Sequence, residues 1–349
     1  MKGIVFTGNR TLALQTFDDP TPGPDDVVLE IKASGMCGSD LKFYRSAPGE
    51  ANKALGIPSG AAVIAGHEPC GVVVAVGANV NRKRGWLGQR AMVHHYRGCG
   101  ACPHCNTGWQ QLCVEGVAEV YGVSGNGAHA RYMLCPANTL VTLPEALSFE
   151  TGAAISCGTG TAWGALKRLD LAGEQTIAIF GQGPVGLSAT QLAAALGARV
   201  IALDVSPERL ARAKAFGAAE LINPAETDPV AAIRALTQGL GAHASLDASS
   251  SPQARRQAVQ SVRTWGKVCL VGEGGQMTLD VSPDLLRRQV TLIGSWTFST
   301  VGQAECAQFI AERGVDVDQL FTERWALDDA EQAYQHFDKQ TGGKGVFVF

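Results

Sequence analysis

A chain of 349 residues has room for two domains at about 150 residues each. Apolar residues make up 46% and charged residues 17%, the balance of a chain that buries a large core and the opposite of a disordered one. A formal net charge of −3 gives no electrostatic drive toward nucleic acid or an anionic membrane.

In chain order, the opening "MKGIVFTGNRTLAL" is no signal peptide, because its apolar run is short and is broken by Gly8, Asn9 and Arg10. "TPGPDD" is a turn. "DDVVLEIKASG" and "GVVVAVGANV" are β-branched runs bounded by Gly, Pro and Asp, so the first 150 residues read mostly as β. "NRKRG", Asn81 to Gly85, reads as a solvated turn.

The texture changes near residue 150. "TIAIF", "PVGLSATQLAAALG", "RVIALD", "SPERLARAKAFG", "ASLDAS", "PQARRQAVQSVRTWG" and "KVCLVGEGG" alternate strand and helix, the pattern of a parallel sheet covered on both faces. Ser206 caps the second of these helices, Pro207 suits its first position and Gly217 its exit. The long apolar stretch Thr176 to Leu203 contains Gln182, Gln191 and Arg199, so it is no membrane span. After about residue 296 the alternation is lost. One helix-like segment, "DDAEQAYQHFDKQTGGKG", precedes a short strand, "VFVF".

Ten cysteines without an export signal predict reduced thiols in the cytosol, where clustered cysteines favour a metal over disulfides. "CGACPHCNTGWQQLC" sets Cys99, Cys102, Cys105 and Cys113 at C-x2-C-x2-C-x7-C. Four thiolates close a tetrahedron around one zinc and leave no position for a substrate, which predicts a structural role. A redox dithiol and an iron–sulfur cluster are the alternatives. Cys70, Cys135, Cys269 and Cys306 read as inert buried thiols. Cys37 in "MCGSDLKFYR", His67 in "AGHEPCG" and Cys157 in "ISCGTGTAW" are too dispersed for spacing alone to link them.

"TIAIFGQGPVG" places Gly181, Gly183 and Gly186 in a G-x-G-x-x-G array that ends a strand and opens a helix. The turn, with Pro184 and Val185 inside it, reads as a cradle for a dinucleotide pyrophosphate at a helix N-terminus. Asp204, 18 residues after Gly186, ends the next strand. An acid there accepts from the adenosine ribose and repels a 2′-phosphate, favouring NAD over NADP. The alternative is a plain turn followed by a capping Asp. Arg209 either lies along the adenosine or is an exposed helix arginine.

Together these segments carry a resemblance. "GHEPCGVVVAVGANV", the "CGSD" box, the four-cysteine lobe, "CGTGTA" and the glycine turn stand in the order found in zinc-containing medium-chain alcohol dehydrogenases. The chain resembles that family over essentially its whole length. The resemblance implies an α/β fold. A GroES-like β-rich catalytic domain, 1–155 plus 297–349 with the zinc lobe around 95–115, is split by a doubly wound parallel-sheet (Rossmann) domain, 156–296.

The resemblance also implies roles. Cys37, His67 and Cys157 are the ligands of a catalytic zinc, and Glu68 is the acid beside it. Asp40 orients His67, Ser39 takes the alcohol proton and Thr161 packs near the nicotinamide. Lys344 falls where the family places a cation near the pyrophosphate. Relatives often carry a histidine five positions after the first zinc cysteine; here that position is Lys42, either a relay end or an exposed lysine. His95, beside His94 and Tyr96, falls on a substrate-pocket position, with Phe43 and Trp296 as further candidates. The compact stretch between Cys113 and Cys157 resembles tetrameric polyol-type relatives, which implies a homotetramer. The activity implied is hydride transfer from a secondary alcohol or polyol to NAD, with two zinc ions per chain. An aldehyde or ketone reductase, a threonine-type amino-alcohol dehydrogenase and a non-catalytic cofactor-binding protein are the competing readings.

Overall fold

The computed structural model describes residues 1–50, 53, 62–80, 85–116, 118–340 and 342–349. Residues 81–84 of the basic turn expected at Asn81–Gly85 lie outside the described residues. The chain divides into two compact units. One comprises Met1–Cys157, Ser299–Glu312 and Asp316–Phe349; the other comprises Gly158–Phe298 and Arg313–Val315. Among the described residues, no helix is long and apolar enough to cross a membrane.

The first unit is built on a seven-stranded sheet with the strand Asp26–Gly35 near its middle. Val27, Val28, Leu29, Ile31 and Ala33 of that strand are all buried, as expected of a β-branched run covered on both faces. It pairs antiparallel with Pro69–Val76, with Tyr132–Pro136 and with Lys344–Val348. The register sets Ser34 opposite Pro69 and Gly35 opposite Val346. Two chain segments distant in sequence therefore reach the end of this strand, and the metal-ligand candidates start there. Val27, Leu29, Ile31, Val73, Trp86, Val93 and Met133 form one core cluster. Ile4, Met36, Tyr44, Tyr334, Phe337 and Phe347 belong to a second.

The second unit holds a six-stranded parallel sheet. Its order is Glu220–Ile222, Arg199–Leu203, Thr176–Phe180, Ala242–Asp247, Val262–Leu270, Thr291–Gly294. The first strand in sequence, Thr176–Phe180, is buried throughout and lies at the centre, and the winding reverses beside it. Such a reversal leaves a crevice at the carboxyl ends of the strands, where doubly wound sheets bind ligands. The helix Pro207–Ala215 has the predicted ends: Ser206 Oγ accepts from Arg209 N–H at 3.3 Å, and Gly217 takes φ +97°. The helix expected over "PQARRQAVQSVRTWG" stops early, at Ser261, and Val262–Leu270 is a strand. Val262 and Thr264 are β-branched and suit an extended chain, and Val262 pairs with Ala242.

Candidate metal and dinucleotide sites

Three turns of the first unit converge. Cys37 follows the strand Asp26–Gly35, His67 precedes the strand Pro69–Val76, and Cys157 follows the helix Phe149–Ile155. Gly35 N–H donates to Glu68 O at 3.1 Å, which ties the first two turns together. Ligand atoms of Cys37, His67, Glu68 and Cys157 all lie within 4.8 Å of one another. The sulfurs of Cys37 and Cys157 stand 4.0 Å apart. Two thiolates on a tetrahedral zinc stand about 3.8 Å apart, so this donor set fits a zinc ion. Contact with the Cys157 sulfur holds the Cys37 thiol well below the ordinary thiol range against the opposing effect of burial. The same contact, together with burial, pushes Cys157 well above it.

Asp40 and Ser39 flank the histidine. Asp40 Oδ1 lies 2.9 Å from His67 Nδ1, and Oδ2 accepts the Cys37 N–H at 2.9 Å. That arrangement leaves His67 Nε2 to face the sulfurs. Ser39 Oγ stands 3.1 Å from Nε2 and 3.2 Å from Cys37 Sγ, inside the same cluster. His95 is buried beside it: its ring centroid is 5.4 Å from that of His67, and Nδ1 is 2.7 Å from Ser156 O. Burial holds its imidazole well below the ordinary range. Lys42 and Phe43 lie on the next helix, Asp40–Arg45, with Lys42 exposed and Phe43 half-buried.

Lys344, expected near the pyrophosphate, has its partners at Glu68. Its ammonium turns inward, 2.7 Å from Glu68 Oε1 and 2.6 Å from Oε2, and donates to Met36 O at 2.9 Å. The reason is sheet register: Lys344–Val348 pairs with Asp26–Gly35, and Met36 N–H donates to Gly345 O, which sets Lys344 beside the metal turn. Both Glu68 oxygens and a carbonyl surround this ammonium, beside the metal cluster. Gly35 admits that carboxylate, since a β-carbon there would lie 1.9 Å from Glu68 Oε2.

Two residues that carried no sequence signal join the cluster from behind. Tyr334 donates its hydroxyl to Asp40 Oδ2 at 3.3 Å, and His129 Nε2 lies 2.7 Å from the Tyr334 hydroxyl. Each is a single residue outside any motif; only the fold brings them in.

The lobe cysteines also assemble. The sulfurs of Cys99, Cys102, Cys105 and Cys113 lie within 4.8 Å of one another, a closed four-sulfur set that fits zinc. Backbone N–H groups of Ala101 and Cys102 point at Cys99 Sγ (3.4 and 3.2 Å), and that of Cys99 at Cys113 Sγ (3.3 Å). Such bonds favour thiolates, and backbone donors pull the Cys102 thiol down to about 6. None of the ten cysteines forms a disulfide.

In the second unit the glycine turn has the shape a pyrophosphate needs. Gly181 takes φ +90°. A β-carbon on Gly186 would lie 1.8 Å from Gly181 O, whereas one on Gly183 would meet nothing within 4 Å. The open space at Gly183 is where a ligand can approach the backbone. Pro184 opens the helix Pro184–Ala195, and its first backbone bond runs from Leu187 N–H to Gly183 O, so the Val185 and Gly186 N–H groups have no partner within the helix. Asp204 Oδ2 accepts from Gln182 N–H at 2.6 Å and Oδ1 from Ser206 N–H at 2.9 Å. Arg209 lies 3.9 Å from the same carboxylate. These residues fit a dinucleotide. Thr161, buried on the helix Gly158–Leu169, and Trp296, 49% exposed, also belong to this unit.

Comparison with known proteins identifies the family. The family model "Alcohol dehydrogenase GroES-like domain" matches residues 23–145, and "Zinc-binding dehydrogenase" matches residues 184–313. An uncharacterized zinc-type alcohol dehydrogenase-like protein of Escherichia coli, YphC, is 38% identical over 351 residues, covering 100% of this chain and 99% of the relative. Sorbitol dehydrogenase of Bacillus subtilis is 31% identical over 340 residues, covering 96% and 93%. The solved alcohol dehydrogenase TADH of Thermus sp. ATN1 superposes with a TM-score of 0.89 at 27% identity, over 100% of this chain and 99% of that one. The chain belongs to the zinc-containing medium-chain dehydrogenase family, with a GroES-like domain and a Rossmann-type domain.

Proposed function

We propose that this protein is a zinc- and NAD-dependent dehydrogenase that oxidises a secondary alcohol or a polyol to the corresponding carbonyl compound. The observation that carries the reading is the meeting of Cys37, His67 and Cys157 around one point, with three ligands available and Ser39 Oγ beside them. A zinc ion held by those three residues supplies Lewis acidity toward a substrate oxygen, and NAD, when bound, accepts the hydride.

The chain's own residues do the rest. Ser39 Oγ, 3.2 Å from Cys37 Sγ and 3.1 Å from His67 Nε2, accepts the hydroxyl proton as it hands its own on toward solvent. Asp40 keeps His67 turned so that Nε2 faces the metal. Lys344 neutralises Glu68, so the carboxylate adds no unbalanced charge next to the ligands. His95, buried with its ring 5.4 Å from that of His67, lines the pocket where a second hydroxyl of the substrate would lie, which suits a polyol; likeness to a sorbitol dehydrogenase supports the same class. The glycine turn cradles the pyrophosphate, and the Asp204 carboxylate selects NAD over NADP by repelling a 2′-phosphate. The four-cysteine lobe holds a second, structural zinc. The chain assembles as a cytosolic homotetramer, a reading that light scattering checks and that a monomer overturns.

The deciding experiment is an NAD-reduction screen over primary alcohols, secondary alcohols, polyols and β-hydroxy amino acids, run on protein whose zinc has been counted. Two zinc per chain with turnover of a secondary alcohol or polyol supports the proposal. One zinc per chain, strict preference for NADP, or turnover of β-hydroxy amino acids alone overturns it.

A further inference from the structure

A line of buried polar side chains runs away from the metal cluster into the first unit. Ser34 Oγ stands 2.8 Å from His129 Nδ1, and His129 Nε2 stands 2.7 Å from the Tyr334 hydroxyl. That hydroxyl donates to Asp40 Oδ2 at 3.3 Å, and Asp40 Oδ1 faces His67 Nδ1 at 2.9 Å. Ser34, His129 and Tyr334 are 0% exposed and Asp40 is 1% exposed, so water does not compete for these groups.

Elementary bonding rules give the line a direction. An ionised carboxylate only accepts. The Tyr334 hydroxyl therefore donates to Asp40 and accepts from His129, which carries its proton on Nε2. His129 Nδ1 in turn accepts from the Ser34 hydroxyl. Burial pushes the His129 imidazole down to about 4, in keeping with the neutral ring that this pattern requires. Each donor thus points toward Asp40. With the Cys37 N–H also on Oδ2, that oxygen has two donors and Oδ1 is left for His67.

We propose that Tyr334 and His129 are positioning residues of the His67 metal site: the Tyr334 hydroxyl, itself oriented by His129, anchors the Asp40 carboxylate that aims His67. The inference rests on the reading of Cys37, His67 and Cys157 as metal ligands. One donor lets a carboxylate pivot; a second from another direction fixes its plane. His129 also braces the ligand segment directly. A β-carbon on Gly66 would lie 2.4 Å from His129 Nδ1, and His129 N–H donates to Ala65 O at 2.9 Å. The Tyr334 ring packs edge-on against Phe6 at 4.9 Å, so Tyr334→Phe removes the hydroxyl and keeps the packing.

The test is zinc affinity on the full chain, read by competition with a chromophoric chelator, and the four-cysteine lobe of the same molecule is the internal reference. Removing a partner of a ligating histidine typically weakens metal binding about 10–100-fold, which is the loss expected for Asp40→Asn. Tyr334→Phe, one bond further out, is expected to weaken the same zinc roughly 3- to 10-fold and to leave the lobe zinc unchanged. In an Asp40→Asn background it should add less than about twofold, since the tyrosine acts through Asp40. Cobalt(II) in place of zinc should show altered visible bands in Tyr334→Phe. His129→Leu should reproduce the one-site loss, and His129→Gln, which keeps an N–H toward Tyr334, should recover most of it; this pair carries the test if Tyr334→Phe does not fold. Unchanged affinity, equal weakening of both zincs, or full additivity with Asp40→Asn overturns the inference. A wild-type chain that binds only the lobe zinc overturns the ligand reading instead, which is a separate failure.

Discussion

Lys344 Nζ stands 2.6 Å from Glu68 Oε2, with the two side chains 2% and 0% exposed. Burial pushes the Glu68 carboxyl up, and the Lys344 ammonium, itself favoured by that carboxylate, opposes the shift. A charge this deep persists because its partner is equally deep.

Removing the lysine alone leaves an uncompensated carboxylate. Lys344→Met is expected to lower unfolding free energy by about 3–5 kcal/mol, and Lys344→Arg by less, because it keeps the charge. Denaturant unfolding of the two variants checks this; equal stability of wild type and Lys344→Met contradicts it.

The glycine turn separates folding from binding at two positions three residues apart. Gly186→Ala forces a β-carbon against the Gly181 carbonyl and should destabilise the second unit by about 1–3 kcal/mol. Gly183→Ala meets open space, so its melting should match wild type while its affinity for the dinucleotide falls. Melting curves and cofactor titrations, run on both variants, show whether the two effects part company.

Asp204 has two tasks, and its variant should show both. Asp204→Ala loses the bonds to Gln182 and Ser206 N–H along with the negative charge. A hydrogen bond from the adenosine ribose to that carboxylate contributes about 1.5–3 kcal/mol, so its loss should lower NAD affinity roughly tenfold or more. NADP, freed of the repulsion, should drop less or gain. The ratio of kcat/KM for the two cofactors is the readout, and an unchanged ratio counts against a role in selection.

Cys102→Ser should act on structure first. Loss of one of four sulfur ligands is expected to bring zinc content down from about two per chain to about one and to lower the melting temperature. Turnover per remaining active-site zinc should stay close to wild type at a temperature where the variant is folded. A loss of turnover with full zinc content and normal melting would place chemistry in the lobe.

His129 makes stability depend on pH. An exposed histidine titrates near 6.5, and burial brings His129 down to about 4. Between those values the unfolded chain binds more protons than the folded one, so stability falls as pH falls. The full contribution is present above about pH 6.5 and is lost by about pH 4, a span worth about 3 kcal/mol. Unfolding free energies measured across that range should slope less steeply in His129→Gln, which does not titrate.

Legibility in the sequence followed distance along the chain. Cys99 to Cys113 fits in fifteen residues, so its spacing alone spoke for a metal. Gly181, Gly183 and Gly186 were legible because a turn is a local event, with the strand before it and the helix after it both visible in pattern. Cys37, His67 and Cys157 are separated by whole sheet strands, and only resemblance joined them. The contact of Lys344 with Glu68 was not legible because the pairing of its strand with Asp26–Gly35 is a long-range contact that no local pattern encodes. Tyr334 and His129 were missed for the same reason: a lone buried tyrosine and a lone buried histidine look like core until a carboxylate is found behind them. The helix over "PQARRQAVQSVRTWG" was overextended because the apolar period runs on through residues that the sheet claims as a strand.

The Glu68–Lys344 pair closes a span of 276 residues. Most of that span is the second unit, whose parallel sheet is formed entirely from within its own stretch of chain. Closing so long a loop in a floppy chain costs about 5 kcal/mol in entropy. Once the intervening stretch has folded, fewer loose residues separate the two ends and that cost shrinks. The order of events is thereby biased: the insert matures early, its host late. Cys37, His67 and Cys157 all precede the insert whereas Lys344 follows it, so the ligand cluster can gather before the cation that pairs with Glu68 has been made.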